Sequence, residues 1–246
     1  MLRNSLHGCP VLGYAYVGLI DTDFLHDPSD SRHFDLLKQA MLVRGYDPRV
    51  RFVAGREALM TGNQDGALQL WESVFHSTEY FRLGVLNQVA PLVPVEFFLE
   101  QFQPDADELK DVLAVYDHLG RERDTEVVLR ELCRLLPEKA KDIEDEDERY
   151  REMLFAFEAA RRLEDSTRAL EILAVMANDY PLAFEPHYYS AVILLELKRP
   201  QEAEAFLTTC SEIDPGNTWV PRLMREVRLQ MLKQSDEQAR GHSLLF

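Results

Sequence analysis

Three glycines crowd the stretch GREALMTGNQDGALQLWESVF, at Gly55, Gly62 and Gly66, with Asn63, Gln64 and Asp65 between the last two. Glycine clusters can cradle a phosphate, because a backbone without Cβ turns its N–H groups toward an anion. That chemistry demands Gly-x-x-x-x-Gly-Lys-Ser/Thr, or Gly-x-Gly-x-x-Gly between a strand and a helix, and neither spacing occurs here. No lysine stands between Lys38 and Lys110, so the cation such a loop sets against phosphate is missing too. The glycines read instead as the turn between two packed helices.

Other residues that could do chemistry give as little. The run DIEDEDE, Asp142 to Glu148, invites a calcium ion, but a calcium loop of the helix–loop–helix kind needs a central glycine and this run has none. It reads as a solvated linker, or as the acidic first turn of a helix starting near Arg149, where carboxylates face the positive end of the helix dipole. His7, His26, His33, His76, His118, His187 and His242 show no HExxH or HxxxH spacing and no pairing with cysteine. No Gly-x-Ser-x-Gly elbow is present, and among 43 acidic residues paired carboxylates carry no information. The expectation is a chain that is not an enzyme and holds no metal or cofactor.

Bulk properties narrow the partners. A net charge of -16 and a pI near 4.8 argue against nucleic acid, whose neutralisation needs clustered lysine and arginine. Cys9, Cys133 and Cys210 are too far apart for a CxxC site and odd in number, so they read as buried apolar thiols. Near the N-terminus, Leu6-His7-Gly8-Cys9 has the look of a lipoprotein box, but its apolar run, Val11 to Ile20, lies on the wrong side of the cysteine. Ten apolar residues fall short of the roughly 20 that cross a bilayer. A cytoplasmic chain without signal peptide, transmembrane segment or direct membrane insertion is expected.

The elements that must position these residues are helical. Leu109, Val112, Leu113, Tyr116 and Leu119 recur at i, i+3, i+4 spacing, as do Tyr150, Met153, Leu154, Phe157 and Ala160, and no sustained period-2 alternation competes. Breaks fall at Gly62 to Gly66, Gly120 to Asp124, Glu164 to Ser166 and Lys198 to Pro200. Setting Ala169 on Ala203 also sets Leu173 on Leu207, Met176 on Cys210 and Pro181 on Pro215, a period of 34 residues.

On these residues the chain resembles the tetratricopeptide repeat (TPR) family. Gly55, Ala67 and Trp71 fall at the small, small and large positions of one repeat, and Ser190, Ala191, Leu194, Ala203, Leu207, Cys210 and the closing Pro215 follow the same pattern. Ala156, Ala160, Ala169, Leu173, Met176 and Pro181 make a third repeat, with Phe157 where a small residue is usual. A weaker pair, Ala106 to Lys139, has Tyr116 and a closing Pro137 but Leu113 and Thr125 at its small positions, and a first pair, about Cys9 to Asp47, fits only with an insertion at His26 to Ser31. The resemblance implies an all-α fold, an α-α superhelix or TPR-like solenoid of helical hairpins. Its divisions would be N-terminal pairs at 1–81, an irregular connector at 82–104, a degenerate pair at 105–139, an acidic linker or helix start at 140–149, two repeats with a terminal helix at 150–233, and a flexible tail at 234–246. Trp219, Leu223, Val227 and Met231 would share the terminal helix's apolar face.

In that family helix A lines a concave groove, so the resemblance implies groove positions at Arg49, Phe52, Arg56, Leu59 and Met60; at Arg151, Leu154, Glu158, Arg161 and Arg162; and at Glu185, Tyr188, Val192, Leu195 and Glu196. Five arginines then face three glutamates, which favours an extended peptide with apolar anchors and acidic character. Counting Asp107, Lys110 and Asp117 of the weaker pair nearly cancels the excess, so an ordinary mixed surface stays open. Phe52 and Arg56 replace the first two residues of the clamp by which some members grip chaperone C-termini. The expected function is a scaffold for a protein or peptide partner. A second reading rests on PVEFFLEQFQPD, Pro94 to Asp105, which is similar to the tails of bacterial O-antigen ligase and polymerase proteins; it implies a non-catalytic accessory of such a membrane complex.

Overall fold

Left-handed residues set the repeat. The computed structural model describes residues 15–19 and 32–243, with side chains at 15–19 and 34–235, so readings on Cys9, on its apolar neighbours to Gly13, and on His26 to Ser31 lie outside the described residues. A helical segment at 15–19 precedes α1 (Arg32–Arg44), α2 (Pro48–Met60), α3 (Gln64–Phe75), α4 (Glu79–Val89), α5 (Val95–Phe102), α6 (Ala106–His118), α7 (Glu122–Lys141), α8 (Glu146–Arg162), α9 (Ser166–Asp179), α10 (Phe184–Glu196), α11 (Pro200–Ile213) and α12 (Val220–Ser243). All described elements are helices, and the fold is all-α, built of helical hairpins. Two compact units, Met1–Val128 and Leu129–Phe246, divide within α7.

Helices α2, α6, α8 and α10 end alike. Gly62, Gly120, Glu164 and Lys198 each adopt positive φ, at 83°, 66°, 56° and 59°. The following N–H reaches back into the last turn: Asn63 to Ala58 O, Arg121 to Tyr116 O, Asp165 to Ala160 O and Arg199 to Leu194 O, at 2.8, 3.3, 3.0 and 2.8 Å. This Schellman closure satisfies carbonyls that would otherwise be orphaned and aims the chain back along the helix it has left. The next helix starts at once. Asn63 accepts from the Gly66 N–H at 3.0 Å and Asp165 from the Arg168 N–H at 2.9 Å, so the two side chains cap α3 and α9.

Five residues beyond three of these turns lie Ala67, Ala169 and Ala203, all buried. Nine beyond lie Trp71, Leu173 and Leu207, also buried. Against Trp71 the facing helix must be bare: a Cβ on Gly55 would come within 2.6 to 2.7 Å of the indole's Cδ1 and Cε2, and its Nε1–H donates to Phe52 O at 3.0 Å. Ala191 plays the corresponding part opposite Leu207, and both hairpins pack closely. Phe157 holds the helices of α8 and α9 further apart and turns its ring onto Tyr189 at 5.0 Å. Pro181 and Pro215 follow the ends of α9 and α11 by two residues, where proline cannot extend the helix.

Between the N-terminal hairpin and α6, the prolines permit only α4 and α5. Phe75, Phe98, Phe102 and Tyr116 pack there, with centroids 5.5 Å (Phe75 to Phe98), 4.5 Å (Phe98 to Phe102) and 6.4 Å (Phe98 to Tyr116) apart. The connecting backbone is completed by two side chains that are themselves an ion pair, Arg121 and Asp124. Arg121 donates to Ala90 O at 2.7 Å and Val93 O at 2.8 Å, while Asp124 accepts the Val95 N–H at 3.1 Å.

Four expectations change. Pro137 does not close α7; it lies inside that helix, which runs on to Lys141. Proline has no N–H for the carbonyl four residues back, Cys133 O, and Arg168 of α9 donates to that oxygen instead, at 2.9 Å. The acidic run starts α8 earlier than Arg149: Asp145 caps the helix, accepting the Glu148 N–H at 2.8 Å, and Glu146, Asp147 and Glu148 form its first turn. The segment after Lys233 is helical to Ser243 rather than a flexible tail, in keeping with its lack of proline and its Gln, Glu, Ala and Arg content. Trp219 is left exposed ahead of α12, its ring under the Arg222 guanidinium at 5.2 Å, while Val220 and Val227 take the buried face.

Replacing Trp71 by alanine is expected to cost about 3 to 5 kcal/mol in urea unfolding, as for a large buried aromatic; a loss below about 1 kcal/mol would remove the Gly55–Trp71 crossing from the core. Arg168→Ala should cost about 1 to 2 kcal/mol by stranding Cys133 O. In a Pro137→Ala background, where an N–H is restored to that carbonyl, the same change should cost distinctly less, and equal costs in both backgrounds would refute the substitution of one donor for the other.

Candidate functional site

Turns of α2 spaced three and four residues apart present Arg49, Phe52, Val53 and Arg56 on one face. Tyr80 and Phe81 of α4 and Val17 of the 15–19 segment stand opposite, enclosing a cleft of about 400 Å³. Phe52 is its floor. The ring is flanked by Trp71 at 6.2 Å and Phe81 at 6.1 Å, and Gly84 leaves room behind it, since a Cβ there would sit 3.0 Å from the Phe52 ring. Tyr80 is 80% exposed and meets Phe81 edge-on at 5.2 Å, giving the cleft an exposed aromatic wall beside a half-buried one. Among the described residues lining it, the charged side chains are Arg49 and Arg56, and none is acidic.

The structure thus brings together three groove positions named from the sequence, Arg49, Phe52 and Arg56. Leu59 is half-buried beyond the lining and Met60 is exposed. Val17, in the 15–19 segment, was missed, as were Tyr80, Phe81 and Gly84, whose helix α4 has no partner in the repeat pattern. Their signal was the spacing of Tyr80, Phe81 and Gly84 on one helical face.

In the second unit the expected groove residues arrange differently. Arg161 pairs with Glu196 at 2.8 Å, so two of the counted charges cancel each other. Tyr150 donates its hydroxyl to Glu185 at 3.2 Å. Arg151 and Glu158 are exposed and Leu154 half-buried. Tyr188 stacks on Phe184 at 5.4 Å, and Val192 is half-buried. Leu195 is withdrawn from any groove: at 5% exposure it packs with Ala191, Leu194, Ala203 and Leu207 in the core. A further cavity of about 410 Å³, bordered by Pro137, Met153, Ile172 and Val175, has a rim on which Lys141 pairs with Glu138 at 2.7 Å and Arg168 with Glu171 at 2.9 Å.

Other charged side chains serve the scaffold. Arg82 of α4 holds Asp111 at 2.6 Å and the buried Glu108 at 3.2 Å, and Glu108 also accepts the Asp105 N–H at 3.0 Å and meets His76 Nδ1 at 3.0 Å. This network closes α4 onto α6. The stretch Pro94 to Asp105 is likewise absorbed by packing, with Val95, Phe98 and Phe102 buried and Asp105 capping α6. No helix among the described residues is long and apolar enough to cross a membrane.

Neither described cysteine is poised for chemistry. Burial pushes the Cys133 and Cys210 thiols from 9.0 up to about 11, and Cys133 Sγ donates to Ala156 O at 3.6 Å. At pH 8 a disulfide-exchange reagent should therefore label neither thiol in the folded Cys9→Ser protein and both after denaturation; rapid native labelling would show an exposed thiolate. The folded thiols keep protons that unfolded ones release, so their contribution is intact below about pH 9 and is lost as the pH rises to about 11.

No family model matches the chain, and no curated protein does. Among solved structures, similarity extends to a chain of the Naa15/Naa10 complex bound to HypK-THB (14% identity, TM-score 0.42, 97% of this chain and 39% of that one). It extends also to YrrB, a TPR protein with an unusual peptide-binding site (10%, 0.40, 92% and 98%), and to a chain of the APC/C hetero-tetramer Cut9-Hcn1 (14%, 0.39, 92% and 44%). This chain spans less than half of the matched chains in the Naa15/Naa10 and Cut9-Hcn1 complexes, 39% and 44%.

Proposed function

We propose that this chain is a non-catalytic interaction scaffold that receives a partner protein through an extended peptide, seated in the cleft between α2 and α4. The observation that carries this reading is the cleft's composition: an aromatic floor and walls with Arg49 and Arg56 as the charged lining, on a chain whose net charge is -16. Apolar side chains of the peptide would bury against Phe52, Phe81 and Tyr80, and acidic ones would lie in the positive field of the lining beside Arg49. Such a site favours acidic over basic ligands, and its electrostatic part weakens with salt.

Fluorescence anisotropy with two peptide libraries that share aromatic anchors, one flanked by glutamate and one by lysine, tests this. The acidic library should bind more tightly, and Arg49→Glu/Arg56→Glu should reverse or abolish the preference while leaving the helical circular dichroism unchanged. Equal affinity for the two libraries, or a preference untouched by the double variant, would overturn the assignment.

A further inference from the structure

The 34-residue period carries α10 onto α12, setting Pro186 on Val220 and Ile193 on Val227, and all four residues are buried. Each helix also packs against the helix before it. Their other faces differ. Ala191, Leu194 and Leu195 of α10 are buried with Ala203 and Leu207 of α11, which closes that hairpin. One period on, the same places hold Arg225, Arg228 and Leu229, and all three are exposed. Among the described helices, none takes the place on α12 that α11 takes on α10.

This open face is basic as well as apolar. Over 220–233 α12 carries Arg222, Arg225, Arg228 and Lys233 against one acidic residue, Glu226, in a chain whose net charge is -16. Arg222, Arg225, Leu229 and Leu232 follow one another at spacings of three, four and three, which makes them one stripe. Leu229 is 58% exposed and Leu232 63%. Neither Arg225 nor Arg228 has an ion-pair partner among the described residues. A helix bringing only leucine to these positions, as α11 does to Ala191, would strip water from two guanidiniums and return no counter-charge. A helix bringing carboxylates would answer them.

We propose that this face receives an acidic amphipathic helix of a partner protein, lying on α12 as α11 lies on α10. Apolar side chains of that helix pack on Leu229 and Leu232, and its carboxylates meet Arg225 and Arg228. An anionic bilayer shares the charge preference, but the hairpin register favours a helix, because the open positions are the ones that meet a helix in α10.

The test uses the full chain and a labelled, hydrocarbon-stapled helical peptide with leucines at i, i+3 and i+7 flanked by glutamates. One control carries lysine for glutamate, and another keeps the acidic composition but disperses the leucines around the helix. Anisotropy should rank the acidic amphipathic helix first, with the lysine control weaker by about tenfold or more and the dispersed one weaker by about threefold or more. Arg225→Glu/Arg228→Glu should weaken the acidic helix by about tenfold or more, with the helical circular dichroism unchanged. Arg225→Gln/Arg228→Gln, which removes the charges without reversing them, should weaken it in the same direction and keeps the test open if the glutamates disturb α12. Arg49→Glu, in the α2 cleft, should leave it unchanged. No preference for the acidic helix, a preference untouched by both α12 variants, or its loss on Arg49→Glu would each overturn the proposal. The chain should not co-sediment with phosphatidylserine vesicles; co-sedimentation abolished by the α12 variants would overturn the helix in favour of a bilayer.

Discussion

A residue in the left-handed region at the end of each first helix is the constraint on which the hairpins depend. Gly62, Gly120, Glu164 and Lys198 all occupy it, and the hydrogen bonds around them are the same in kind. Once that conformation is imposed, the start of the next helix, the small residue where the helices cross and the large one a turn beyond are fixed by geometry. Two of the four are not glycine, so Glu164 and Lys198 are held there at a cost of roughly 1 to 2 kcal/mol, met by the packing that follows. The crossing residue then tunes how tightly each pair closes. Gly55 admits an indole, Ala191 admits a leucine, and Phe157 holds its hairpin open and reaches sideways to Tyr189.

Arginine stands in two kinds of place in this molecule, in the joints of the scaffold and on the wall of the cleft. Arg121 and Arg168 complete backbone that proline has interrupted, Arg82 ties two helices through buried carboxylates, and Arg161 answers Glu196. These guanidiniums are spent on the scaffold. Arg49 and Arg56 line the cleft with aromatic walls, so a plain count of arginines against glutamates does not show where each one stands.

Much of the fold was legible in the sequence because hairpins repeat a small set of demands at fixed spacing. Ala67, Ala169 and Ala203 are small for one reason, and Pro181 and Pro215 stop helices for another. What escaped was non-local. Pro137 looks like a helix end until a donor 35 residues away in sequence is found for the carbonyl it abandons. Leu195 satisfies the helical spacing of a groove residue, yet the rotation of α10 delivers it to the core. Arg49, Phe52 and Arg56 were visible on α2, but a cleft needs a second wall, and Tyr80 and Phe81 sit on a helix outside the repeat pattern. The aromatic run around Phe98, similar to a tail module when read as a string, is accounted for by its burial beside Phe75 and Tyr116.

The Arg168–Cys133 bond bears on the order in which the chain can mature. The acceptor belongs to α7 and the donor to α9, so the interrupted turn stays unfinished until a hairpin synthesised later has formed. Arg121 stands in the same relation to Ala90 and Val93, 31 and 28 residues behind it. Each proline-broken segment thus waits for its C-terminal neighbour. A chain that ended before Arg168 would lack the donor to Cys133 O, and one that ended before Arg121 the donor to Ala90 O and Val93 O.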